Sequence, residues 1–161
     1  MGLLIALGVS LLDQITKWWV LLDLMNPPRV IELLPFFNLV LVWNRGVSFG
    51  LFPAGSATGQ WFLIGVAALI VAVLVVWLRR AEDRKTLCAI GLIVGGAVGN
   101  VIDRILHGAV VDFIDWHVGG YHWPAFNIAD SAITVGAVLL ILDSLTSKPH
   151  NKDSESVKDP Q

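Results

Sequence analysis

The stretch "QWFLIGVAALIVAVLVVWLRRAEDRK", residues 60–85, decides the fold. Residues 60–78 of it hold neither a charge nor a proline. About 20 apolar residues in a helix cross the roughly 30 Å of hydrocarbon in a bilayer. A chain inside hydrocarbon must pair its own backbone amides, and the helix is the form that does so within one segment. Arg79, Arg80, Arg84 and Lys85 follow immediately. Short loops rich in Lys and Arg stay in the cytoplasm. This span therefore runs from outside to inside, and that direction orients the rest of the chain.

Three further segments, at about residues 3–22, 86–106 and 126–145, are long and apolar enough to cross. Four spans place both termini in the cytoplasm. The segment after the first span holds only Arg29 and Arg45 as basic residues, and the one before the fourth holds none, so both face outward. Lys17, in the outer half of the first span, runs against the bias, but it belongs to a helix and not to a loop. Trp18, Trp19, Trp61 and Trp77 sit near span ends, where amphipathic rings favour the interface. The composition agrees. Of 161 residues 55% are hydrophobic and 15% charged, against about 45–50% and about 25% in soluble domains. The mean hydropathy is +0.71. The first block lacks a basic leader and an A-x-A-like site, and Asp13 and Lys17 interrupt it, so it reads as a retained span rather than a cleaved signal.

The fold expected is thus a membrane all-α domain of four transmembrane helices over residues 1–146. Residues 29–52 are rich in β-branched and aromatic types, with Gly46 and Gly50 as breakers. They predict a small outward-facing β-sheet, a cradle, between helices 1 and 2. Residues 147–161 are polar and mixed in charge, and read as a disordered tail. No basic run suggests nucleic acid. Cys88 lies within an apolar block and reads as a packing residue.

Three spans carry polar side chains at helical spacing: Asp13, Thr16 and Lys17; Asn100, Asp103 and Arg104; Asn127, Asp130, Ser131 and Thr134. Such stripes turn from lipid toward other helices or a wet cavity. The topology brings most of the acids, with Asp112 and Asp115 of the last loop, near the outer interface. Structural readings stand beside chemical ones. Asp13 and Lys17 suit an internal ion pair, Asp103 and Arg104 a packing anchor, and Asp115 a solvated loop residue. The pattern alone leaves Asp112 and Asp130 open between chemistry and structure. The residues show no zinc motif, no G-x-S-x-G elbow and no phosphate-binding glycine loop, and His107, His117 and His122 match no ordinary metal spacing. Neither a metal nor a cofactor is expected. Two carboxylates remain the best chemical pair, because adjacent acids share one proton and divide into acid and base. The rival classes are a small transporter or proton relay using intramembrane carboxylates, and a non-catalytic membrane scaffold. The first needs polar residues through the whole thickness, and the cytoplasmic halves of spans two to four are nearly bare.

Five segments carry a resemblance. "DQITK" (Asp13–Lys17), "WNRGVSFG" (Trp43–Gly50), "GNVIDR" (Gly99–Arg104), "VVDFID" (Val110–Asp115) and "PAFNIADSAITVG" (Pro124–Gly136) resemble the bacterial lipoprotein signal peptidases, also called signal peptidase II. They occur in that family's order and cover most of the chain, although the N-terminus is a few residues short of the family pattern. The resemblance implies a monomeric, multi-pass aspartyl endopeptidase of the inner membrane, with its active site near the periplasmic face. It would remove signal peptides from diacylglyceryl-modified prolipoproteins, cleaving before the lipidated cysteine of the lipobox, with the lipidated signal peptides and membrane lipid as its partners. Carried over by motif, the catalytic pair is Asp112 and Asp130. Asn44, Asn100, Asp103, Arg104 and Asn127 would hold the pair and the substrate backbone, with Asp13 and Lys17 in support.

Overall fold

The computed structural model describes residues 1–46 and 56–146. Helix α1 (Gly2–Trp19) continues through a wider π-type turn, Val20–Leu24. Helices α2 (Ala57–Arg80), α3 (Arg84–His107) and α4 (Ile128–Thr146) follow. All four are long and apolar enough to cross a membrane. The residue ranges expected for the tail, 147–161, and for the end of the cradle, 47–52, lie outside the described residues.

Helix α3 is the centre of the bundle and packs against α1, α2 and α4. Its glycines explain why. A Cβ on Gly91 would lie 2.6 Å from the Gly2 carbonyl oxygen, and one on Gly95 would lie 2.6 Å from that of Ala6. At Gly99 the obstacle is a carboxylate oxygen of Asp13, 2.5 Å away. No side chain fits there, so the two backbones approach as small-residue stripes allow in lipid. Helix α2 carries no such stripe and is the least buried of the four, with most of its surface turned outward. Asp83 caps α3, accepting hydrogen bonds from the backbone N–H of Lys85 (2.9 Å) and Thr86 (3.0 Å). Gly108, at φ +67°, ends it in the left-handed conformation that glycine adopts without strain.

That stop sends the chain into a sheet larger than expected. Strands β1 (Ile31–Leu34), β2 (Phe37–Asn44), β3 (Val110–Val118) and β4 (Tyr121–His122) form one antiparallel sheet in the order β1-β2-β3-β4. A cradle drawn only from the segment between α1 and α2 is therefore half the structure; the other half comes from between α3 and α4. The acids, histidines and glycines of residues 107–125 gave them the look of a loop. Yet "VVDFIDWHV" is rich in β-branched and aromatic residues, and Gly119 and Gly120, at φ +58° and +82°, make the two-residue turn of a hairpin.

Strand β3 pairs with β2 such that Val42 opposes Asp112 and Asn38 opposes Asp115. Four steps along β2 match three along β3, so β2 carries one extra residue, a bulge between Leu39 and Val42. Phe113 packs with Val20 and Met25, joining the sheet to the end of α1. A second apolar cluster, Ala6, Leu78, Ile90 and Val94, ties α1, α2 and α3 together at the other end.

Candidate active site

Two sequence-local devices set the site. The first is the start of α4. Asn127 accepts a hydrogen bond on its side-chain oxygen from the Asp130 N–H (2.9 Å), and an Asp130 oxygen accepts one from the Asn127 N–H (3.2 Å). This is a reciprocal capping box, with Asn and Asp in the places usually held by Ser or Thr and Glu. It explains why α4 begins at Ile128 and not at residue 126. It also fixes the Asp130 carboxyl at the helix mouth. Asp13 accepts from the next free amide, that of Ala129, at 2.9 Å.

The second device is the alternation of β3. Successive strand residues face opposite ways, so Asp112 and Asp115, three apart, lie on opposite faces. Asp112 is 1% exposed and takes Nδ2–H groups from Asn127 (2.7 Å) and Asn44 (2.9 Å). Asn44 reaches it diagonally across the β2–β3 pair, on the face that Val42 shares with Asp112. Asp115 instead binds Asn38 Nδ2 (3.0 Å) and lies 2.8 Å and 2.9 Å from His122 Nδ1. It is covered by its neighbours, not the solvated loop residue expected. Burial raises its carboxyl, but the hydrogen bonds from His122 and Asn38 outweigh that and hold it below the ordinary carboxylate value. Burial acts on Asp112 too, and prevails over its amide hydrogen bonds with help from the negative charge of Asp130; its pKa is pushed up to about 6.

One residue thus bridges the pair. The side chain of Asn127 binds Asp112 while its backbone N–H binds Asp130. Behind it stands a chain of buried polar groups. Lys17 Nζ lies 2.8 Å from Asp13, 2.9 Å from Asp103 and 3.0 Å from Asn100 Oδ1. An ammonium only donates, so it dictates which end of the Asn100 amide faces it. The Asn100 Nδ2–H is thereby aimed at Asp130, 2.8 Å away. Asp103 accepts the Val111 N–H at 2.9 Å and anchors the strand that carries Asp112. The guanidinium of Arg104 donates to the Asn100 carbonyl at 3.3 Å and lies within electrostatic reach of Asp130, Asp112 and Asp103.

All nine residues singled out in the sequence therefore stand in or beside one network. Gln14 is a member that the sequence reading passed over. Its Nε2–H groups reach Asp103 (2.8 Å) and the Gly99 carbonyl (3.2 Å). The signal was there, an amide beside Asp13 in an apolar helix, but at one residue's remove from the stripe. Asn38 was missed as well, because only strand register reveals its partner Asp115. Among the described residues, no three His, Cys, Asp or Glu side chains gather in an arrangement able to hold a metal ion. His117 and His122 are stacked, 4.8 Å between ring centroids, while His107 packs edge-on to Trp18 and Trp43.

Asp130 lines a groove of about 540 Å³ with Trp116, Trp123, Phe126, Thr134 and Val135. One carboxyl of the pair is thus buried and the other opens to a largely apolar surface.

A family model described as signal peptidase (SPase) II matches residues 5–146. The lipoprotein signal peptidase of Methylobacterium sp. (strain 4-46) is 46% identical over 149 residues, 92% of this chain and 90% of that protein. That of Ralstonia nicotianae is 49% identical over 146 residues, 88% and 83% of the two chains. A bacterial membrane enzyme solved by the in meso method superposes with a TM-score of 0.79 at 36% identity, covering 98% of this chain and 94% of its own. With its four apolar helices, its four-stranded sheet and this breadth of similarity, the chain belongs to the signal peptidase II family.

Proposed function

We propose that the protein is an aspartyl endopeptidase of the bacterial inner membrane that removes signal peptides from diacylglyceryl-modified prolipoproteins, with Asp112 and Asp130 as the catalytic pair. Residues 1–146 act as one domain and as a monomer. Both termini and the α2–α3 connection face the cytoplasm, and the pair lies near the periplasmic side. The observation that carries the reading is the shared partner Asn127, which hydrogen-bonds both carboxyl groups.

The chemistry follows from the difference between the two acids. Asp112 is enclosed and holds its proton more tightly than an ordinary carboxyl. Asp130 opens to the groove and serves as the base. It takes a proton from a water as the water oxygen bonds to the scissile carbonyl carbon. Asp112 gives its proton to the carbonyl oxygen, so no full negative charge develops there. The resulting gem-diol collapses. Asp130 passes the proton it took to the leaving nitrogen, the C–N bond breaks, and Asp112 recovers a proton from the diol hydroxyl. Water is consumed, an acid and an amine are released, and the pair returns to its starting state. The bond cleaved is the one before the lipidated cysteine of the lipobox.

The test is cleavage of a diacylglyceryl-modified lipobox peptide by purified protein. Asp112→Asn and Asp130→Asn should each lower kcat by about a thousandfold, the scale of a lost acid or base. Asp115→Asn should cut within a few-fold of wild type, because its side chain faces the other side of β3. Near-normal cleavage by either Asp112→Asn or Asp130→Asn would overturn the assignment.

A further inference from the structure

A recess of about 440 Å³ opens where the start of α2, the end of β2 and the end of α3 meet. Arg45, Gln60, Trp61, Arg104 and His107 line it, and no carboxylate does among the described residues. It adjoins the pair of acids. Asn44, which donates to Asp112, immediately precedes Arg45, and Arg104, which lines the recess, is within electrostatic reach of Asp130 and Asp112. Two lining residues carry buried atoms without a partner among the described residues: the Nε donor of Arg104 and the Oε1 acceptor of Gln60. Gln60 gives its Nε2–H to the Arg45 carbonyl at 2.7 Å, and that bond fixes its acceptor end. Buried polar groups are nearly always paired in a folded protein, so these two atoms mark the recess as a place where a bound group can find hydrogen bonds.

The groove on the Asp130 side has the opposite character, walled by Trp116, Trp123, Phe126 and Val135. The two sides of the pair thus differ as the two halves of a membrane-borne substrate differ.

We infer that the cationic recess is a subsite for an acidic side chain on the substrate segment that follows the scissile bond and runs out toward water. The inference rests on the peptidase reading given above. The apolar groove suits the signal segment, which arrives within the bilayer. The recess suits a polar segment and selects its charge. A carboxylate matches the planar fork of a guanidinium, and a backbone N–H of the bound segment can supply the donor that Gln60 Oε1 lacks. The charge of Arg104 is shared with three acids. Arg45, exposed at the end of β2, is therefore the discriminating cation.

The experiment compares three lipidated lipobox peptides, identical except for Asp, Ser or Lys directly after the lipidated cysteine, in uncharged detergent with zwitterionic lipid. Wild type should cleave the Asp peptide with a kcat/KM about tenfold above the Ser peptide, a scale set by one charge-assisted hydrogen bond. The Lys peptide should be the poorest, and the differences should shrink as salt rises. Arg45→Gln should bring the three values together, Arg45→Lys should keep the order, and Arg45→Glu should favour Lys over Asp. Equal cleavage of all three by wild type overturns the subsite and leaves the peptidase reading standing. So does equal cleavage combined with stimulation by phosphatidylglycerol that Arg45→Gln abolishes, since the recess would then hold a lipid phosphate. Cleavage of none of the three overturns the peptidase reading and the subsite with it.

Discussion

At the scale of single residues, the two acids are held by amides whose directions are set by neighbours such as Lys17, which can only donate, and the Asp130 N–H, which does likewise. Asp112 shows the consequence for pH. In the proposed mechanism its proton goes to the carbonyl oxygen, and its pKa stands at about 6, above the ordinary carboxylate value. Protonated Asp112 predominates below that value and is lost above it. The kcat/KM should therefore fall about tenfold per pH unit above about pH 6, since this profile reports the free enzyme. Asn44 favours the ionised form by donating to it. Removing that donor in Asn44→Ala should move the falling limb to higher pH, measured as the profile and not as a single rate. Lys17 carries a second prediction. It is 1% exposed and faces Asp13 and Asp103, both at 2% or less. Lys17→Met keeps the length but leaves two buried acids without a counter-charge. It should cost about 3–5 kcal/mol of stability, read from thermal unfolding in detergent. It also removes one of the two donors that aim the Asn100 amide at Asp130, leaving only the Asn127 Nδ2–H at 3.2 Å, so cleavage should fall in molecules that remain folded.

At the scale of elements, α3 holds the molecule together through what it lacks. A Cβ on Gly95 would meet the backbone of Ala6 and the side chain of Val9, 2.6–2.7 Å away. Gly95→Leu must push α1 off α3, and with it Asp13 and Lys17, which secure Ala129 and Asn100. Loss of cleavage together with a lowered melting temperature is expected, whereas Gly65→Leu on α2, where a Cβ meets nothing within 4 Å, should leave both unchanged. Elements also show how far the sequence could be read. The helices were legible because hydrocarbon demands long unbroken apolar runs, and the stripes within them because charge in such a run stands out. Strands β3 and β4 were less so. A strand is short, its period is two, and the acids of "VVDFID" drew attention away from its β-branched frame. The choice between Asp112 and Asp115 followed from family resemblance alone. Its physical reason, that the two face opposite sides of one strand, needs the strand to be known first. Asn38 and the bulge in β2 lie beyond any local pattern, because they exist only through pairing with β3.

At the scale of the whole molecule, the polar network lies at one end of the helices, where α3 finishes and α4 begins, beside the sheet. The α2–α3 connection, flanked by Arg79, Arg80, Arg84 and Lys85 in the helix ends, lies at the other. If that connection is cytoplasmic, the pair of acids must work on the opposite side. Glu82 is exposed in the connection and offers a reporter. With Cys88 changed to Ser, Glu82→Cys should resist a membrane-impermeant maleimide on spheroplasts and react once the membrane is permeabilised. Labelling of intact spheroplasts would reverse the orientation. The exposed apolar side chains of α1 and α2, such as Leu4, Leu7, Leu69 and Val73, are the surfaces that acyl chains would cover.

The capping box at the mouth of α4 has a bearing on drug escape. Asp130 closes the first turn of that helix through Asn127, and Asn127 in turn carries Asp112. A compound anchored on Asp130 leans on a group that the helix also needs in order to begin. A bacterium that evades such a compound by replacing either residue would weaken the cap that positions the other, and under the proposed mechanism a replacement of Asp130 would also remove the base. Resistance should therefore arise at the rim of the groove, among side chains such as Trp123 and Val135, and not at its floor.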